Sequence, residues 1–167
     1  MKCSDILFYS DIDNWSENTS VLNDRIIGKK QLTFLIEDED GEKFGYYYNT
    51  EVIEKYGWSP QQTDSKSFHF NLQSKNNRLK QPMKFEIKNL YFGGIRLFEK
   101  SYNFLISLGN IHLGKENIKH NSNCCQDECY FDYHGIEKAL CGKAGYSDFV
   151  SKGEYFTPKR ILIIQMK

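Results

Sequence analysis

Several things are scarce in this sequence, and each scarcity closes a route. Proline occurs three times in 167 residues, and together with an aromatic content of 15% this favours a packed, β-rich domain over a disordered chain. Net charge is absent: 22 basic residues cancel 22 acidic ones, so no global field exists to hold nucleic acid or an anionic membrane. Long apolar runs are also absent. The opening "MKCSDILFYSDID" has an apolar stretch of only four residues, soon followed by acids, too short for a signal segment, and nothing approaches a membrane span. The expectation is a soluble, cytoplasmic protein whose five cysteines, odd in number and without an export signal, stay reduced. No G-x-S-x-G elbow, H-E-x-x-H pair or phosphate loop occurs. Without repeats or a linker, the length suits a single domain over residues 1–167.

What is present begins with "LTFLIEDEDGEKFGYYY", residues 32–48, two β-favouring runs around an acidic stretch. A calcium loop would place its obligatory glycine at position 6, carboxylates at 1, 3 and 5, and a bidentate Glu at 12. With Gly41 as position 6, Asp38 and Asp40 fit, but Ile36 falls at position 1 and Tyr47 at position 12. Neither can ligate. Asp40-Gly41 instead suits a two-residue hairpin turn, whose central residues both need positive φ.

Around this hairpin the signals are mostly those of strands. "ILFY" reads as a first strand, and "NWSENTSVLNDRIIG" as a short amphipathic helix with Ser16 as N-cap and Gly28 as its stop. "NTEVIEKYGWSP" is a loop punctuated by Gly57 and Pro60. In "SKSFHFNLQ" the alternation puts Phe68, Phe70 and Leu72 on the core face and His69, Asn71 and Gln73 on the solvent face. "MKFEIK", "YNFLISL" and "NIHLG" add strands, with turns at Gly93-Gly94 and Gly109-Asn110. The near-continuous apolar run "RILIIQM" predicts a terminal strand buried on both faces and paired centrally. The fold class expected is mainly β (α+β): two antiparallel sheets packed as a sandwich, with a few short flanking helices.

The order of these signals resembles the TLDc domain, the C-terminal module of the oxidation-resistance proteins, and the resemblance runs over nearly the whole chain. Its most specific element is the acid-Gly turn followed by Phe-Gly, giving Asp40, Gly41, Phe44 and Gly45. The second is the double glycine Gly93 and Gly94 ahead of "IRL" and "FLISLGNIHLG", with "FTPKRILII" closing the chain. Two departures stand out. Family members carry helical sequence before the first strand, and their last strand contains a Glu where this chain has Leu162. The resemblance implies a sandwich of two antiparallel sheets, no general catalytic mechanism, a link to oxidative-stress resistance, and binding to the vacuolar proton-pumping ATPase.

Two other constellations compete with a non-enzymatic docking role. "HNSNCCQDECYFDYHG" puts His120, Cys124, Cys125, Cys129 and His134 within fifteen residues, with Cys141 and His112 nearby. Cys125-x3-Cys129 has a spacing that zinc accepts, though adjacent Cys124 and Cys125 would point to opposite faces of a strand. Buried, incidental cysteine is the simpler reading. A reactive thiolate would want a cation beside it, and Asp127 and Glu128 supply acid instead. The second is "QSKNNRLKQPMK", with four basic residues over 75–84, able to touch phosphates as a nucleic-acid-binding transcriptional regulator would, though with no net charge a solvated loop is the simpler reading. His69 reads as a surface residue, and Trp15 and Trp58 as core or sheet-edge anchors. The reading favoured is a protein-docking module with no cofactor and no bound metal, whose contact surfaces are the polar loops at residues 49–65 and 73–80.

Overall fold

The computed structural model describes residues 2–75, 78–143 and 154–167. Among them the first sheet is built from β1 (Cys3–Tyr9), β2 (Leu32–Asp38), β3 (Lys43–Tyr48), β4 (Phe68–Gln73), β5 (Met83–Ile87), β10 (Phe131–Asp132) and β12 (Pro158–Met166). The second uses β6 (Ile95–Leu97), β7 (Phe104–Leu108), β8 (Ile111–Gly114), β9 (Asn123–Cys124) and β11 (Glu154–Tyr155). Their orders are β1-β12-β2-β3-β4-β5-β10 and β11-β9-β8-β7-β6. Every strand pair in both sheets is antiparallel. The expected two-sheet, sandwich-like α+β architecture is the one found.

Alternation dictates how the sheets meet. β2 buries Leu32, Phe34, Ile36 and Asp38 and leaves the residues between them half-buried. From the other sheet Ile106, Leu108 and Ile111 enter the same core, together with Tyr46 and Ile163. Each such aliphatic or aromatic side chain contributes about 1.5–3 kcal/mol by leaving water. Polar ties also cross between the sheets. The buried Tyr46 hydroxyl donates to the carbonyl of Gly93, and His69 Nε2 lies 2.8 Å from the carbonyl of Leu108.

The acidic stretch does form a hairpin, but its turn is longer than expected. Asp38 N–H bonds to the carbonyl of Glu42 and Gly41 N–H to that of Asp38, leaving Glu39, Asp40 and Gly41 as a three-residue loop. Only Gly41, at φ +89°, is left-handed in it. One glycine in that conformation beside a bulge closes a hairpin as well as two central residues would.

Three further expectations change. The helix α1 spans only Leu22–Ile26 and starts from Val21 without a side-chain cap. Ser16 instead donates its N–H to Asn14 Oδ1 and Asn18 takes φ 65°, so local side-chain bonding draws the segment into turns. β4 is buried on both faces at its centre: Phe70 is buried as expected, but His69 and Asn71 are buried in the core as well, while Leu72 is 46% exposed. β12 does pair centrally, between β1 and β2, but only Pro158, Ile161 and Ile163 are fully buried and its other face is partly open. Leu162 lies on that open face, registered with Leu35. Among the described residues no helix is long and apolar enough to cross a membrane.

Candidate functional site

The motif glycines are scaffold, and they lead to the site. Phe44 is buried edge-on against Phe156 at 5.2 Å. A Cβ on Gly45 would stand 1.8 Å from the carbonyl oxygen of Phe34 and 2.8 Å from the Phe70 ring, so glycine there admits both strand neighbour and aromatic cover. Tyr46, next along, is the residue that reaches Gly93. Asp40 and Gly41 lie apart from these at the hairpin tip, where Asp40 meets Lys143 at 2.9 Å and Lys75 at 3.9 Å. Those two cations, Lys143 foremost, hold the Asp40 carboxyl below its ordinary value.

Gly94 does the most to shape the surface. A side chain there would overlap the backbone of Gln61, whose carbonyl oxygen lies 1.8 Å from the position of a Cβ. This close approach lets residues 53–61 run beside β6. Gln61 N–H bonds to the carbonyl of Ile95 and Gly57 N–H to that of Leu97, and Tyr56 makes a parallel bridge to Leu97. The Gln61 amide closes the loop on itself, accepting from Ile53 N–H at 2.9 Å and donating to the Ile53 carbonyl at 2.8 Å.

Two buried cations hold the neighbouring backbone. Arg96 on β6 donates from Nε to the carbonyl of Trp58 at 2.8 Å and from a terminal nitrogen to Ser107 Oγ at 3.3 Å. Its burial presses the guanidinium pKa down. Lys115 is likewise buried, and its ammonium donates to the carbonyls of Glu99, at 3.1 Å, and of Lys100. Desolvation lowers its pKa as well. Asn23 completes the hold by donating to the carbonyl of Phe98 at 2.8 Å. Both loops are therefore fixed by polar groups from beneath.

What these fixed loops carry outward is aromatic. Trp58 is 51% exposed, Tyr102 41% and Tyr56 39%, while Phe98 is buried beneath them. Phe98 and Tyr102 stack at 5.0 Å and 12°. Trp58 stands at 80° to the Tyr102 ring, 6.2 Å away, with its indole N–H donating to the Tyr102 hydroxyl at 3.1 Å. Between them lies a cavity of about 170 Å³, lined by Tyr56, Gly57, Trp58, Phe98, Glu99 and Tyr102. The sequence suggests a core or sheet-edge anchor at Trp58. It sits at the edge but is half open, and the roles of Arg96 and Lys115 had no sequence signal beyond their being cations near apolar strands.

The cysteine and histidine segment scatters its candidates. Cys124 and Cys141 are buried neighbours whose thiols share a hydrogen bond, and burial pushes the Cys124 thiol well up. Cys129 is exposed, and a hydrogen bond with Asp127 raises its pKa. Its own N–H bonds to Asp127 Oδ1. His120 and His134 are exposed, while burial lowers His112 to about 4. Among the described residues no three of His, Cys, Asp and Glu stand close enough to hold a metal ion. His69, expected on the surface, is fully buried and stacked on Phe131 at 3.8 Å. Desolvation lowers it to about 3.

The basic stretch at 75–84 spends much of its charge internally. Arg78 pairs with buried Glu42 at 2.6 Å and also donates to the carbonyl of Lys138, and Lys84 meets Glu86 at 3.2 Å. No protein-family model matches the chain, and none of the curated proteins does either.

Proposed function

We propose that this chain is a TLDc-like protein-interaction module, without catalysis of its own, that docks through the aromatic surface of its 49–65 loop. The observation that carries the reading is the exposure of Trp58 and Tyr102 on loops that Arg96 and Lys115 hold from below. Tryptophan and tyrosine dominate the energetics of protein interfaces, and surfaces ordered in advance lose less entropy on binding. These rings pack on Phe98 and on each other yet leave about half of the Trp58 and Tyr102 surface in water, an apolar area of the kind that marks a docking surface.

The resemblance of the strand order and glycine motifs to TLDc domains supports the choice of partner to test first, the vacuolar proton-pumping ATPase, and with it a place in oxidative-stress resistance. The second expected contact loop, 73–80, has a smaller part in this reading because Arg78 is tied to Glu42. Tagged protein is expected to retrieve subunits of that ATPase from lysate, and Trp58→Ala to reduce retrieval with little change in melting temperature. Retrieval unaffected by Trp58→Ala would remove the surface from the reading. Capture of no ATPase subunit would remove the partner.

A further inference from the structure

We propose that the cavity between Trp58 and Tyr102 is an aromatic cage for a methylated lysine side chain of a partner protein. This rests on the docking reading above and gives its surface a chemistry. Size comes first. At about 170 Å³ the cavity is smaller than the roughly 300–1,000 Å³ of sites that enclose whole small molecules. It suits the end of one side chain.

The lining then selects charge. Tyr56, Trp58 and Tyr102 contribute three exposed rings and Phe98 a fourth beneath them, with Trp58 and Tyr102 meeting almost at a right angle. Aromatic faces carry negative quadrupole density and attract an organic cation brought within about 6 Å. Glu99 lines the same cavity. Glu54 is bonded to the Tyr56 hydroxyl at 3.2 Å. After burial, Glu54, Asp24 and Glu99 are the groups that push the Tyr56 phenol up. Lys100 neutralises Asp24 at 2.8 Å and Lys55 donates to Ser59 at 3.3 Å, so the rim's negative charge is that of Glu54 and Glu99. A cavity of aromatic walls under a negative rim favours a cation.

Methylation decides which cation. An unmodified lysine ammonium is compact and strongly hydrated, and Glu99 and the tyrosine hydroxyls are too few acceptors to replace all of its water. Methylation keeps the charge and replaces N–H groups by apolar surface that packs on rings. A choline headgroup shares this chemistry, but its phosphate would lie two carbons away, against Glu54 and Glu99. The acidic rim therefore favours a peptide over a lipid.

Nuclear magnetic resonance on the full chain tests this through the Trp58 indole N–H, with calorimetry for affinity. The probes are a peptide bearing trimethyllysine, the same peptide unmodified, tetramethylammonium, phosphocholine, and the neutral isostere 3,3-dimethylbutanol. The trimethyllysine peptide and tetramethylammonium are expected to move the indole signal and to bind at least about fivefold tighter than the neutral isostere. Glu99→Gln, an exposed change that leaves the fold alone, is expected to weaken both about threefold or more. Trp58→Ala should abolish the calorimetric signal. Equal binding of the neutral isostere, or no response to the peptide at millimolar concentration, overturns the cage. Preference for phosphocholine overturns the protein source. If ATPase subunits are still retrieved in a Trp58-dependent manner after any of these failures, the docking reading stands and only the cage falls.

Discussion

The backbone of Gln61 occupies the space that any side chain at position 94 would need, with its carbonyl oxygen 1.8 Å from a Cβ on Gly94. Gly94→Ala should therefore lift residues 53–61 from β6, since neither backbone can yield without breaking the Gln61–Ile95 bond. We expect a loss of roughly 2–4 kcal/mol. The Trp58 indole N–H signal should also shift, because its partner Tyr102 lies on a different loop. Gly93→Ala is the control: its nearest neighbours lie at 3.1 Å, and a smaller loss is expected. Equal melting temperatures for Gly94→Ala and the parent would show that the loop is not seated as described.

A second comparison separates two reasons for glycine in the hairpin. At Gly41 a Cβ meets nothing within 4 Å, but φ is +89°, so Gly41→Val costs only backbone strain, on the order of 1–3 kcal/mol. At Gly45 the conflict is steric, with Phe34 backbone and the Phe70 ring, and Gly45→Ala should cost more. Gly41→Asn should recover most of the loss at the turn, because Asn tolerates left-handed φ. Chemical denaturation of the three variants checks the order.

Stability should fall on acidification through two histidines, the fully buried His69 and the half-buried His112, whose Nδ1 is enclosed. His69 donates from Nε2 to the Leu108 carbonyl and accepts at Nδ1 from the Tyr133 hydroxyl at 3.1 Å, an arrangement only the neutral ring can make. Burial lowers it to about 3 and His112 to about 4, while the unfolded chain protonates them near 6.5. The unfolded state thus binds more protons below about pH 6.5. Stability is full above that value and is lost as pH falls towards about 4 for His112 and about 3 for His69, at up to about 1.4 kcal/mol per pH unit for each ring. Asp38 acts in the opposite sense, since burial raises its carboxyl and the folded state holds that proton longer. His69→Gln should be less stable at pH 7 yet show a shallower decline to pH 4.5. A denaturation midpoint constant from pH 7 to 4.5 would contradict the neutral rings.

The cysteines give a chemical check on the same core. Cys129, exposed but with a raised pKa, should label slowly at neutral pH and faster as pH rises. Cys124 and Cys141 should label only on unfolding. Cys129→Ser should leave stability within about 0.5 kcal/mol, while Cys124→Ser places a hydroxyl among apolar neighbours and should cost about 1–3 kcal/mol. Near-equimolar zinc in protein prepared without added metal would contradict the scattered placement of the segment.

How much of this was legible depended on where each residue's partner lies. β2 and β3 could be read because their alternation and their turn are local. The burial of His69 and Asn71 on β4 could not, because they enter the core by bonding to Leu108, Tyr133 and Leu140, all distant in sequence. Polarity alone placed them outside. The helix is shorter than its apolar spacing implies because Asn14 and Asn18, both turn formers, compete for the backbone ahead of Leu22. Trp58 stood in a loop recognisable from Gly57 and Pro60, but its exposure is set by Arg96 and Gln61, which the sequence does not connect to it.

The ion pair at the hairpin gives the last prediction. Glu42 is buried, and its carboxylate accepts from Arg78 at 2.6 Å, Asn71 at 3.2 Å and the Lys75 N–H at 2.9 Å. Removing one partner of a buried pair leaves the other charge without compensation, which costs more than the pair itself contributes. Arg78→Met should therefore lose roughly 2–4 kcal/mol, little of it recoverable by salt, because so enclosed a charge is weakly screened. Adding Glu42→Gln to Arg78→Met should restore part of the loss, since the neutral amide strands no charge and its single oxygen can still accept from either Asn71 or the Lys75 N–H. If the double variant is no more stable than Arg78→Met alone, Arg78 acts through its bond to the Lys138 carbonyl and not through charge.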